Sequence, residues 1–190
     1  MPRRYDPERR ERIVAAAARV LERRGINGLT HRAVAAEADV PLGSTTYHFD
    51  GGEALLLAAL ERVNSEWLEW FGRWVAEAGA APSVADHVVT LLDDWTGPRR
   101  ASAELVYGLY FAGLERPALR PLAARCVDEM VRLARPLAGD EAGARAFVGL
   151  VDGLLIQLLL TGGPHRPEET RAALARLLPG TGSRPRPGTG

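Results

Sequence analysis

The 190-residue sequence predicts an all-α protein in which a three-helix head precedes a larger body of six helices. Three observations predict this class. Apolar residues recur at three- and four-residue spacing through most of the chain, and no segment shows the sustained alternation of a strand. The periodic runs are separated by capping residues, glycines and prolines at helix-length intervals. The stretch THRAVAAEADVPLGSTTYHFDGGE, residues 30–53, has the length and the central Asp-Val-Pro of two short helices joined by a tight turn.

The first helix is expected over Glu8–Arg24. Ile13, Ala17 and Leu21 recur every four residues, and Val14, Ala18 and Val20 widen the stripe. Gly25 supplies a left-handed stop. Thr30 is placed to cap a second helix, 31–38, whose inner face is Val34, Ala35 and Ala38. Asp39-Val40-Pro41 makes the turn, since Asp tolerates positive φ and proline suits a first helical turn. A short third helix runs from Leu42 to His48, and Phe49 closes the small core. Ala33, Ala35, Ala36 and Ala38 are small enough to let two short helices cross closely.

Glu53 opens a long helix to about Gly79, with Leu56, Leu60, Val63, Trp67, Phe71 and Trp74 in one stripe. Ser83 with Asp86 three residues on marks the next start, and Gly97-Pro98 ends that helix after Trp95. Further helices are expected over about 99–113, from the Arg116-Pro117 restart to about Leu137, from about Asp140 to Leu160, and from Pro167 to Leu178. The organisation is therefore a helix-turn-helix head at 1–51, a helical body at 52–179, and a disordered tail at 180–190, where PGTGSRPRPGTG offers nothing to bury.

Composition narrows the function by exclusion. All 24 basic residues are arginine, and 24 acids balance them, so net charge does not announce a polyanion partner. Charge is uneven, however: residues 1–32 hold nine arginines against four acids, and residues 33–60 hold no arginine. Cys126 stands alone, which excludes an intrachain disulfide and a zinc quartet and leaves packing as its expected role, with redox sensing as the alternative. MPRRYDPERRERI leads into an amphipathic helix and not into an apolar leader segment. The most apolar run, Ala146–Thr161, is interrupted by Asp152 and Gln157 and is shorter than a bilayer span. The expected compartment is the cytoplasm. His31, His48, His87 and His165 are scattered, with no HExxH, no GxSxG and no glycine-rich phosphate loop, so neither an enzyme nor a bound metal or cofactor is expected.

RERIVAAAARVLERRGINGLTHRAVAAEADV, then VPLGSTTYHF, then GGEALL together resemble the TetR family of one-component bacterial transcription regulators. The resemblance covers about residues 8–60; beyond it only helix number and length agree. It implies that Arg32, Leu42, Gly43, Ser44 and Thr46 approach base edges or the adjoining backbone of double-stranded operator DNA. It places Thr30, His31, Tyr47 and His48 at phosphates, and Thr45 and Phe49 on the buried face. Two departures stand out: Thr46 occupies the place of a frequent tyrosine, and Gly52 that of a common basic residue. The arginine-rich N-terminus is the candidate to compensate, with Arg3 and Arg4 suited equally to minor-groove contact or to solubilising charge. The residue chemistry agrees, because hydroxyls and imidazoles bond to phosphate, and an arginine pairs bidentately with guanine for about 1–3 kcal/mol of discrimination.

AFVGLVDGLLIQLLL is too apolar around its circumference for a surface helix. It is expected to be either a core helix of its own domain or part of a homodimer interface. Phe147, Leu150, Val151, Leu154, Leu155, Leu158 and Leu159 lie on it, and Leu174, Leu177 and Leu178 on the last helix join them; Gly149 and Gly153 would permit close approach. For a small-molecule effector, the candidate lining is aromatic: Trp67, Trp70, Phe71 and Trp74 on the long helix, with Trp95, Tyr107, Tyr110, Phe111 and Met130. Glu104 and Gln157 are the candidate polar handles. The same rings also suit a packed core without a cavity. The residues and the resemblance together point to a ligand-responsive, DNA-binding regulator, with repression implied as the family's common mode and a helical adaptor that does not bind specific DNA as the rival.

Overall fold

The computed structural model describes residues 7–178, and among them nine α-helices follow one another. They are α1 (Pro7–Arg24), α2 (His31–Glu37), α3 (Leu42–His48), α4 (Gly51–Ala80), α5 (Val84–Thr96), α6 (Arg100–Glu115), α7 (Arg120–Ala138), α8 (Glu141–Thr161) and α9 (Pro167–Leu177). A single 3-10 turn, Ile26–Gly28, is the other regular element. The all-α expectation holds. The expected tail at 180–190 and the arm residues Arg3 and Arg4 lie outside the described residues. Packing divides the chain into two units, one of residues 7–67 with Leu105–Ala124, the other of Leu68–Glu104 with residues 125–178.

In the first unit, α1, α2 and α3 pack on one another. The α1 stripe read from the sequence is the buried one: Ile13 and Ala17 are fully covered, and Leu21 is 1% exposed. Val34, Ala35 and Phe49 complete the core, and the Arg10 guanidinium lies over the Phe49 ring, 5.1 Å from its centroid. Each large aliphatic side chain buried this fully contributes about 1.5–3 kcal/mol. Gly25 ends α1 at φ 65° and ψ −177°, an extended positive-φ conformation open to glycine alone, and not the left-handed helical one expected. Among the described residues, Asp39 is the non-glycine residue at positive φ, 51°, in the turn where the sequence places it.

Thr30 caps α2 as expected, its Oγ1 accepting from the Ala33 N–H at 3.1 Å. Glu37 at the other end of α2 accepts from Arg19 at 2.7 Å and from Arg23, tying α2 to α1. These two hydrogen bonds hold the Glu37 carboxyl below its ordinary value.

In the second unit α5 packs against α8 and α9. Ser83 caps α5 by accepting from the Asp86 N–H at 3.2 Å. Asp86 in turn accepts from Arg171 of α9 at 2.7 Å, and that hydrogen bond, helped by Ser83, lowers its pKa. His165, with a side chain only 7% exposed, pairs Nδ1 with Asp93 at 2.7 Å and Nε2 with Thr170 at 3.0 Å. The buried Cys126 lies in α7.

Two boundaries differ from expectation. The long helix α4 begins at Gly51, two residues before Glu53. Helix α7 begins at Arg120, because Pro117 biases Arg116 away from helical φ and ψ; a turn closed by the Leu119 N–H to the Arg116 carbonyl at 3.0 Å intervenes. Helix α8 starts where expected, capped by Asp140, which accepts from the Gly143 N–H at 2.7 Å. By length and composition alone this 21-residue helix could cross a bilayer, although the apolar run within it is shorter. In this fold its Phe147, Val151 and Leu155 stripe is buried instead, at 1%, 8% and 3% exposure.

Candidate functional site

The outer face of the head is built on α3. This helix has seven residues, so its faces separate within two turns. Thr45 is fully buried and donates its hydroxyl to the Leu42 carbonyl at 2.8 Å, and Phe49 is 4% exposed; both are on the inner side, as the resemblance implied. Leu42 and Tyr47 are the large side chains turned outward, 45% and 65% exposed. Gly43 and Thr46 share their side, and a methyl added at Gly43 would meet no atom within 4 Å. The Thr46 hydroxyl donates to the Gly43 carbonyl at 3.3 Å while remaining exposed. His48 is half-buried, and its ring meets Tyr47 edge-on at 5.1 Å. Thr30 and Arg32 are exposed beside this surface on α2.

Two residues expected on that face are placed otherwise. Ser44 is only 7% exposed and lies next to the fully buried Thr45 on the packed side. At the start of α2, His31 is half-buried, and both ring nitrogens lie beneath the surface without a hydrogen-bond partner. Neither presents a donor to a phosphate in this conformation. The surface that remains is Thr30, Arg32, Leu42, Gly43, Thr46, Tyr47 and the edge of His48.

The aromatic residues proposed as an effector lining differ in exposure. Phe71, Trp74, Trp95, Tyr107 and Met130 are core residues at 6% exposure or less, whereas Phe111 is 50% exposed. Trp67, Trp70 and Tyr110 are half-buried. Glu104 pairs with Arg100 at 2.8 Å, and Gln157 lies on the exposed side of α8.

A cleft of about 350 Å³ opens in the second unit between the C-terminal half of α4 and α5. Of the predicted residues it takes Trp70 and Trp74. The others are polar: Arg73, Glu77, His87 and Asp94 among them, with Arg99 at the rim. This cleft is open and charged. Sequence reading missed these residues by following rings alone; Trp70, Arg73, Trp74 and Glu77 share one helical face by their spacing.

The dimer candidates on α8 and α9 also divide. Phe147, Val151, Leu155, Leu174 and Leu178 are buried within their own chain, because this stripe faces α5 and its neighbours. Within one chain they keep little exposed area. Leu150, Leu154, Leu158 and Leu177 remain half-exposed, and Leu160 is 79% exposed. Gly149 and Gly153 stand among them, each with open space where a Cβ would be. A second, incompletely covered apolar face of α8 is the result.

Known proteins match over both parts of the chain. The profile described as bacterial regulatory proteins, tetR family, matches residues 13–59, and that of the tetracyclin repressor-like C-terminal domain matches residues 81–180. Among solved structures, the multidrug binding protein EbrR complexed with proflavin is 46% identical, covering 89% of this chain and 99% of that one, with a TM-score of 0.77. EbrR complexed with ethidium is 45% identical over 90% of this chain and 99% of that one, with a TM-score of 0.75. A relative by sequence, the HTH-type transcriptional regulator BetI of Stenotrophomonas maltophilia (strain R551-3), is 25% identical over 183 residues, 90% of this chain and 92% of its own.

Proposed function

This chain belongs to the TetR family of bacterial regulatory proteins, and on that premise we propose that it is a cytoplasmic repressor that binds a palindromic operator as a homodimer. A small aromatic effector bound in the second unit releases it. The observation that carries the DNA-binding part is the two-sidedness of α3, with Thr45 and Phe49 buried and Leu42, Gly43, Thr46 and Tyr47 turned outward. An exposed Leu and Tyr on a helix only seven residues long are poor choices for a face meant for water alone. In the major groove, Tyr47 and Thr46 supply hydroxyls, Leu42 supplies an apolar contact, and Gly43 lets the backbone come close.

One such helix contacts too few base pairs for specificity, so a second copy is required. The half-exposed Leu150, Leu154 and Leu158 of α8, with Gly149 and Gly153 beside them, are suited to that pairing. Two recognition helices set about 34–36 Å apart would read the two halves of a palindrome. Because α4 runs from the head into the second unit, a ligand there that prefers a different α4 orientation alters the spacing of the two heads. Only such a preference shifts the equilibrium; a ligand indifferent to spacing releases nothing. That EbrR is complexed with proflavin and with ethidium supports an aromatic effector here.

The test is selection of bound duplexes from a random pool, with the mass of the complex measured alongside. A two-fold symmetric consensus and two chains per duplex are expected. A monomer in solution, or no enriched sequence from an intact dimer, would overturn the proposal.

A further inference from the structure

We propose that the cleft between α4 and α5 binds a planar cation, and that the guanidinium of Arg99 is its built-in competitor. This rests on the reading of the second unit as the effector domain and names the chemistry of the ligand. Arg99 already displays the contact: its Cζ is 5.6 Å from the Trp70 ring centroid, while its Nε donates to Asp94 at 3.0 Å. A planar, delocalised and weakly hydrated cation over an indole, with a carboxylate at its edge, is also how a flat aromatic cation would be held. Trp95 backs Trp70 at 5.3 Å, which keeps that ring in place.

Arg99 can leave at small cost. Its side chain is 49% exposed at the α5–α6 junction, so it can turn into water without opening the core. Its departure frees Asp94. Glu77, on the α4 wall, has no hydrogen bond or ion pair among the described residues, so two carboxylates would then face Arg73 alone. The second wall is also aromatic, with Trp74 and His87 5.1 Å apart and tilted 33°. His87 Nε2 is buried there without a partner, a polar atom available to a ligand amine or ring nitrogen. An uncharged ring of the same shape gains nothing from Asp94 or Glu77, and an anionic one is opposed by both.

The test uses the full-length protein and proflavin as the cationic probe, with 9-anthracenecarboxylate as an anionic tricycle, each followed by fluorescence titration. Arg99→Ala and Arg99→Gln should each bind proflavin about fivefold tighter than the unaltered chain, the combined value of an exposed cation–π contact and a surface ion pair. Asp94→Asn introduced into Arg99→Ala should erase that gain, and Glu77→Gln should weaken proflavin alone. No tightening in either Arg99 variant, equal tightening for the anionic tricycle, or no proflavin binding by any of them would overturn the proposal. Operator occupancy read in the same samples separates the two claims. Tighter proflavin in Arg99→Ala with the operator still bound keeps the site and removes the effector reading. Release by proflavin with no Arg99 effect keeps the effector reading and removes this site.

Discussion

Replacing Gly43 by Ala separates stability from DNA affinity in a single methyl group. Gly43 lies in the first turn of α3, its φ is not positive, and an added Cβ meets nothing within 4 Å. Within the protein the substitution therefore only reduces the freedom of the unfolded chain, worth about 0.4–1 kcal/mol of added stability. Against a duplex the same methyl intrudes where backbone and groove are in contact. Overpacking of that kind costs about 1–3 kcal/mol, and the lower half of that range already weakens the operator complex roughly tenfold. Denaturant unfolding followed by circular dichroism measures the first effect, and fluorescence anisotropy with the selected operator at fixed salt measures the second. The expected outcome is opposite signs: a sturdier protein that binds less well. Equal operator affinity in the two proteins would refute the close approach at Gly43 and, with it, the docking of α3 by its outer face.

Four further outcomes follow from the same structure. Phe49→Ala, at a position 4% exposed beneath Arg10, should cost about 3–5 kcal/mol and abolish operator binding through loss of the head, measurable as a lowered melting temperature. Tyr47→Phe should weaken binding by a similar factor on consensus and scrambled duplexes and leave stability unchanged; a loss confined to the consensus would contradict a phosphate contact. Leu154→Arg, on the half-exposed face of α8, should give a folded monomer by analytical ultracentrifugation, and a persisting dimer would place the interface elsewhere.

The fourth outcome concerns acid. The Asp86 pKa is lowered in the folded state by Arg171, so the contribution of that pair is complete above the ordinary value of 3.8 and is lost as pH falls through the lower folded value. Arg171→Ala should lower the melting temperature at neutral pH and flatten its decline below about pH 4. Parallel pH profiles for the two proteins would contradict the role of the pair.

Much of the head was legible because its signals are local. The α1 stripe, the Thr30 cap, positive φ at Asp39 and burial of Thr45 and Phe49 each depend on a few neighbouring residues and on helical period. Ser44 and His31 are more covered than their places in the motif implied, for a different reason. On a seven-residue helix one position decides between inside and outside, and the packing of α1 against α2 and α3 makes that decision. The cleft between α4 and α5 was less legible still. Ring content pointed to Trp70 and Trp74, but Asp94, His87 and Arg99 come from another helix and its flanking turn, and nothing in their spacing announces the Arg99–Trp70 contact.

Periodicity, caps and breakers, all local quantities, were sufficient by themselves to determine nine helices in order and a helix-turn-helix at the front. Which side of α8 faces its own core was not determined by them, because that helix is apolar on nearly every side and several orientations bury similar area. Only the docking of α5 and α9 selected Phe147, Val151 and Leu155 for the interior and left Leu150 and Leu154 half-exposed. The physical reason is that an amphipathic pattern carries its own orientation, whereas a uniformly apolar one acquires it from its neighbours.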